Sequence, residues 1–154
     1  MNNNFSDINE FPSSAYLPAC SICVANYNGA DVISACIDSI NNQRFEYPVE
    51  IIVHDDASTD NSVRIISEKH PEVILIESQE NVGFCISNNR MAAKAKGKYI
   101  LLLNNDACLF PDALSKLYNY AESKNEVVIL GLPQYDMETG ELIDRGSLFD
   151  LFLN

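Results

Sequence analysis

Apolar and polar positions along this chain alternate with two periods, and the switches between them mark out the elements. Residues 20–25, Cys-Ser-Ile-Cys-Val-Ala, form a short, nearly continuous apolar run that reads as a strand buried on both faces. Residues 31–41 follow with Val32, Ile33, Cys36, Ile37 and Ile40 at the spacing of one helix face. A second strand is predicted over 49–53. Ser58, Thr59 and Asp60 then offer capping oxygens to a helix carrying Val63, Ile65 and Ile66. Residues 73–76 read as a short third strand, and 83–96 as a helix closed by Gly97. Residues 99–103 give a fourth strand. Pro111 suits the first turn of a helix with Leu114, Leu117, Tyr118 and Ala121 on one face, and 126–132 give a fifth strand. Such alternation implies right-handed crossovers and an α/β fold, a mostly parallel sheet with helices on both faces. Beyond Pro133 the pattern weakens into a turn at Met137-Glu-Thr-Gly140. The chain ends on the apolar stretch 148–154, which has no partner segment and is expected to drive homo-oligomer formation.

With 154 residues, 47% of them hydrophobic, the chain is long enough for one domain and short for two. The expected organisation is a flexible arm over 1–19 and one domain over 20–154, truncated at its carboxyl end. A net charge of -12 excludes nucleic acid and argues against an anionic membrane surface, since both recruit clustered Lys and Arg. No signal peptide or long uncharged apolar run stands out, so a cytoplasmic location is expected, with a membrane-peripheral position left open for the full-length protein. Five cysteines are scattered through apolar segments. Cys20 and Cys23 have the spacing of half a zinc site, but no second pair completes it, and reduced core thiols are the expectation.

Two strands run directly into acidic loops. Residues 99–103 lead into Asn104-Asn105-Asp106, and residues 49–53 lead into His54-Asp55-Asp56-Ala57-Ser58-Thr59-Asp60. Carboxylates at the carboxyl edge of an open α/β sheet stand where such folds bind their ligands. An acidic protein that takes a nucleotide there needs a divalent cation between its carboxylates and the phosphates.

Four segments together carry a family likeness: Ser21-Ile-Cys-Val-Ala-Asn-Tyr-Asn-Gly29, Asp55-Asp-Ala-Ser-Thr-Asp60, Asn81-Val-Gly-Phe84 with Asn88-Asn89, and Gly97-Lys-Tyr-Ile-Leu-Leu-Leu-Asn-Asn-Asp106. In order and spacing they resemble the inverting family 2 glycosyltransferases of GT-A fold, specifically the rhamnosyltransferase-like subgroup. The resemblance implies a UDP- or dTDP-sugar donor, a saccharide or lipid-linked acceptor in cell-envelope polysaccharide synthesis, and Mg²⁺ or Mn²⁺ as cofactor. It places nucleotide contacts at Ala25, Asn26, Tyr27, Asn28, Asp55, Asp56, Gly83, Asn104 and Asn105. Asp56 would accept the N3 hydrogen of uracil or thymine, with Asp55 holding the loop, and Asp106 would be the metal ligand. Asn104 stands where the family's D-x-D motif begins with an acid, leaving one charged ligand. The Asn88-Asn89 pair reads equally well as a solvated helix face.

No residue after Asp106 matches the family's general base. Asp136, Glu138, Glu141 and Asp144 fall in a turn of the wrong context, so the resemblance implies a base beyond Asn154 and a chain inactive by itself. Two other readings compete. A non-catalytic nucleotide-sugar-binding module fits the missing base. A receiver-like regulatory domain fits poorly, because its acidic pair follows the first strand and it needs a Lys after the last.

Overall fold

The computed structural model describes residues 17–144 except 125, 127 and 128. The chain divides into two compact units, Met1–Ala113 and Leu114–Asn154. In the first, β1 (Cys20–Asn26), β2 (Val49–Asp55), β3 (Ile74–Glu77) and β4 (Tyr99–Asn104) alternate with α1 (Ile33–Asn41), α2 (Ser62–Lys69) and α3 (Phe84–Lys94). All strand pairs are parallel, in the order β3-β2-β1-β4, as the alternating pattern predicts. Every strand therefore ends at the same edge. The chain proceeds from β1 outward to β3 and then crosses back to lay β4 on the other side of β1. That reversal puts the switch point, where doubly wound sheets leave a crevice, between the ends of β1 and β4.

Ile22, Cys23, Val24, Ile52 and Val53 are buried completely, which explains why β1 and β2 read as unbroken apolar runs rather than alternating ones. On one sheet face Cys23 and Ile52 pack with Met91 of α3, joined by Ala25, Ile76 and Ala95. The buried stripe of α1 is Ile33, Cys36, Ile37 and Ile40, as the helical spacing predicts. Among the five free cysteines, Cys20, Cys23 and Cys36 are core thiols, whereas Cys85 lies exposed on α3. Burial lifts the Cys20 and Cys23 thiols to about 11, which favours their protonated form at neutral pH.

The first described residues are tied down. Ala19 donates to the Pro48 carbonyl, and Lys98 and Tyr99 donate to the carbonyls of Pro18 and Ala19, so these last residues of the expected arm already extend the sheet. The helix predicted to run to a Gly97 cap stops at Lys94, with Ala95 extended. Gly97 serves packing instead. A Cβ there would lie 2.7 Å from the Cys20 carbonyl carbon and from Ser21 Oγ, and closer still to the Ser21 nitrogen. The Gly97 N–H donates to that Ser21 hydroxyl at 2.8 Å.

The second unit holds α4 (Ala113–Glu122) and a two-stranded antiparallel ribbon, β5 (Gln134–Tyr135) with β6 (Leu142–Asp144). The predicted turn at Met137-Glu-Thr-Gly140 joins its strands, and Gly140 has φ 71°. The fifth strand expected over 126–132 is absent from the described part of that stretch, Glu126 and residues 129–132, while 127 and 128 lie outside the described residues. Ile129 is 91% exposed: β-branched residues form a strand only where a sheet edge accepts their backbone, and none is paired here. The apolar tail 148–154 lies outside the described residues. No helix among the described residues is long and apolar enough to cross a membrane.

Gly97→Ala is expected to destabilise the fold by about 1–3 kcal/mol, the range for overpacking, because its Cβ meets backbone that cannot yield. Urea denaturation followed by circular dichroism measures it, and a variant as stable as the parent refutes the packing role.

Candidate functional site

Three loops leave the carboxyl edge side by side, and their polar side chains are spent largely on one another. Asn26 closes β1 opposite Asp55 of β2, and Ala25 lies opposite Asn104 of β4. The Asn26 amide, 1% exposed, donates through Nδ2 to Asp55 Oδ2 at 2.8 Å and to Ser58 Oγ at 3.4 Å. Its Oδ1 accepts from Asn105 Nδ2 at 2.9 Å. An ionised carboxylate only accepts, so Asp55 fixes which end of the amide faces it. Asp55 completes its own set with the Ser58 N–H at 2.9 Å and the Ser58 hydroxyl at 2.7 Å. Asn26, expected to touch nucleotide, is thus a buried crosslink. Asp55, also expected among the nucleotide contacts, binds the backbone and hydroxyl of Ser58 in its own loop.

Loop 27–32 is laced to loop 56–61. Asn28, at φ 49°, receives the Thr59 N–H at 2.8 Å on its side-chain oxygen and donates its own N–H to Ser58 Oγ at 2.8 Å. Gly29 N–H reaches Ser62 Oγ at 3.0 Å, and Ala30 N–H reaches Asp60 Oδ2 at 2.9 Å. Asp60 also accepts from both the N–H and the hydroxyl of Ser62. Burial opposes the charge on Asp60, but these bonds outweigh it and hold its pKa below the ordinary value. Of the three predicted capping oxygens, only Asp60 reaches the first turn of α2, whose cap position, Asn61, makes no side-chain bond. Ser58 and Thr59 serve the neighbouring loop instead. A Cβ on Gly29 would collide with Asn26 Oδ1 and Asn105 Nδ2, so glycine is required where the loops converge.

Asp56, the expected base reader, is buried, and its carboxylate grips backbone. Oδ1 accepts the Val82 N–H and Oδ2 the Gly83 N–H, each at 2.8 Å. Gly83 sits at φ 87° and ψ 162°, a backbone region open only to glycine, with free space where a Cβ would be. Two bonds leave about two further lone-pair positions on the carboxylate, enough for one more donor. Ala25 lies half-buried against the Met91 cluster, and Tyr27 stands 51% exposed beside it in sequence. Asn88 is buried and donates to the Phe84 carbonyl at 2.9 Å, so of the pair only Asn89 is solvated.

The β4 loop differs from the others. Asn104 and Asp106 are exposed, and no hydrogen bond engages the Asp106 carboxylate among the described residues. Its charge is felt by Cys36, whose thiol is pushed up to about 12 by burial first, then by Cys108 and Asp106. No group of three or more His, Cys, Asp or Glu among the described residues is placed to hold a metal alone. A single carboxylate with amide oxygen beside it suits a hard cation that takes its remaining ligands from water and substrate phosphates, the usual habit of Mg²⁺.

Sequence reasoning missed His54. It is fully buried, its Nε2 lies 3.3 Å from Arg90 Nη1, and its Nδ1 has no hydrogen-bond partner. Arg90 also donates to Ser78 Oγ at 3.1 Å. Because guanidinium only donates, Nε2 accepts and the proton sits on Nδ1. A titratable residue at an interior strand position was the available signal.

Residues 21–149 match the family described as Glycosyl transferase family 2. The chain belongs to that family. It is 37% identical over 116 residues to the poly(ribitol-phosphate) beta-glucosyltransferase of Bacillus spizizenii, covering 72% of this chain and 18% of that protein. It is 36% identical over 101 residues to chondroitin synthase of Pasteurella multocida, covering 64% and 10%. The chain therefore spans less than a fifth of the length of either relative. Among solved structures, TarS of S. aureus (residues 1–349 with UDP) superposes with a TM-score of 0.62 at 23% identity, covering 68% of this chain and 32% of that one. The mannosyltransferase PcManGT of Pyrobaculum calidifontis, in complex with GDP-Man and Mn²⁺, superposes at 0.57 with 31% identity, covering 70% and 32%. These neighbours confirm the GT-A type of α/β fold.

Burial is the main cause holding the His54 pKa below the ordinary histidine value of 6.5, with Asp56 opposing and Arg90 reinforcing the shift. The unfolded chain then binds more protons, so stability is full above about 6.5 and declines as pH falls below it. Replacing His54 by Gln is expected to flatten that decline. Denaturant titrations from pH 7.5 down to 5 check it, and an unchanged slope excludes His54 as its source.

Proposed function

We propose that this chain is the donor-binding part of an inverting glycosyltransferase of the rhamnosyltransferase-like subgroup, moving a sugar from a UDP- or dTDP-sugar to an acceptor hydroxyl with help from Mg²⁺ or Mn²⁺. One observation carries the reading. Of the four aspartates in segments 55–60 and 104–106, Asp55, Asp56 and Asp60 are engaged by hydrogen-bond donors and Asp106 is not. An unengaged carboxylate at the switch point is the group a phosphate-bound cation needs.

In this reading the base lies over Ala25, between Tyr27 and the 81–83 loop, and Asp56 accepts one further N–H from its edge. Asn104 and Asn105 line the path toward Asp106. A divalent cation bound there would offset the charge that builds on the diphosphate as it leaves. The acceptor oxygen attacks the anomeric carbon from the face opposite the diphosphate, inverting the centre, while a carboxylate base takes its proton. Asp136 is a poor candidate for that base. Its Oδ1 takes the N–H groups of Thr139 and Glu138 at 2.7 and 2.9 Å, and bonds from Thr139 above all hold its pKa low.

The Bacillus spizizenii relative, named for poly(ribitol phosphate), supports a cell-envelope saccharide or lipid-linked acceptor and hence a cytoplasmic, membrane-peripheral setting. The relative solved with GDP-Man makes a purine base the alternative to test.

Calorimetric titration with UDP, dTDP and GDP is expected to show weak binding without metal and tighter binding with Mn²⁺, the gain disappearing in Asp106→Ala. Asp56→Ala is expected to weaken the preferred diphosphate by about 1–3 kcal/mol and to blunt base discrimination. Metal-independent affinity in the parent sinks the Asp106 assignment. A stronger response to GDP reassigns the base.

The isolated 154-residue chain is expected to bind donor without turning it over, since general-base assistance is typically worth 10²- to 10⁴-fold. Acceptor-dependent release of nucleoside diphosphate measures this, and robust release locates a base within these residues.

A further inference from the structure

The β2 and β4 loops flank β1, so two interstrand spacings, about 10 Å, separate the strand ends that carry them. No single side chain on either loop is shown bonding to the other. The connection runs through the middle strand: Ser58 and Asp55 bind Asn26 Nδ2, and Asn26 Oδ1 binds Asn105 Nδ2. Asn26 is almost wholly buried, and both ends of its amide are used. The residue after Asn105 is Asp106. Holding the Asn105 side chain therefore restrains the backbone that aims the unengaged carboxylate.

From this geometry we infer that Asn26 is a positioning residue that ties the Asp55–Ser58 loop to the Asp106 loop, so that order at the nucleoside end sets the aim of the metal ligand at the diphosphate end. The inference rests on the metal reading of Asp106 for its functional consequence, but not for the mechanical link. Removing the amide leaves Asn105 Nδ2 without its acceptor and Asp55 short of one donor. The β4 loop then loses its only bond to β1 through a side chain among those shown, while the nucleoside end keeps the Asp56 grip on Val82 and Gly83. Support of this kind behind a metal ligand is typically worth 10- to 100-fold in metal affinity.

The experiment compares the parent, Asn26→Ala, Asn105→Ala and the double variant in two measurements. Asn105→Ala cuts the same link from the half-buried side, so a folding defect at the buried position cannot imitate the result. Without ligand, amide hydrogen exchange is expected to speed up around Ala107, whose N–H bonds the Asn104 carbonyl at 3.2 Å, in both single variants. In titration, the Mn²⁺-dependent gain for the preferred nucleoside diphosphate is expected to fall 10- to 100-fold in each single variant and no further in the double. Affinity for the nucleoside without phosphates is expected to stay within about twofold in Asn105→Ala. Additive losses, unchanged exchange at Ala107, or equal losses for nucleoside and metal-bridged diphosphate overturn the inference. A parent showing no Mn²⁺-dependent gain refutes the metal reading, and the exchange data then decide the mechanical link separately.

Discussion

A parallel sheet delivers all its strand ends, and the polar loops that follow them, to one edge, where carboxylates crowd and backbone groups lose their ladder partners. Here the buried pairing of the Asn26 amide with the Asp55 carboxylate resolves that crowding. The carboxylate accepts three times, from Asn26, from the Ser58 backbone and from the Ser58 hydroxyl, so its burial is compensated rather than costly. The amide in turn offers its oxygen to Asn105. Once that orientation is set, Gly29 must lack a side chain, Asn28 is drawn into the left-handed region, and the β4 loop takes up its place.

The elements of the first unit were legible because β1 and β2 are buried on both faces and α1 on one, so burial writes itself as apolar runs and stripes. Boundaries were less legible. Gly97 looked like a helix stop because glycine commonly ends helices, yet the residue is small for the sake of the Ser21 backbone 76 residues away, which no local pattern records. The stretch 126–132 looked like a strand because its composition favours one, whereas a strand also needs an accepting edge. At the site, motif spacing located the loops but did not assign their hydrogen bonds. Asn26 and Asp56 were read as nucleotide contacts, and the structure shows each already committed to the protein, one wholly and one in part. His54 escaped notice because a histidine inside a strand carries no spacing signal. Its partner Arg90 lies 36 residues away.

The division of labour among the aspartates bears on the diphosphate binding proposed for a chain of net charge -12. Bare carboxylates at the crevice would repel the diphosphate. Asp55, Asp56 and Asp60 instead face backbone and side-chain donors, whose N–H and O–H dipoles offset part of their field locally. Asp106 keeps its charge uncompensated and exposed. A lone carboxylate attracts a divalent cation weakly, and the pair still carries net positive charge with coordination positions to fill. A diphosphate supplies both the charge and the oxygens. If Asp106 holds the cation as proposed, metal and nucleotide would each complete the other's site, and by linkage the affinity that one lends the other must be returned in equal measure. On the same proposal Asn104, in place of a second acid, would keep that balance: another carboxylate would strengthen the cation's hold before substrate arrives and weaken its claim on the phosphates afterwards.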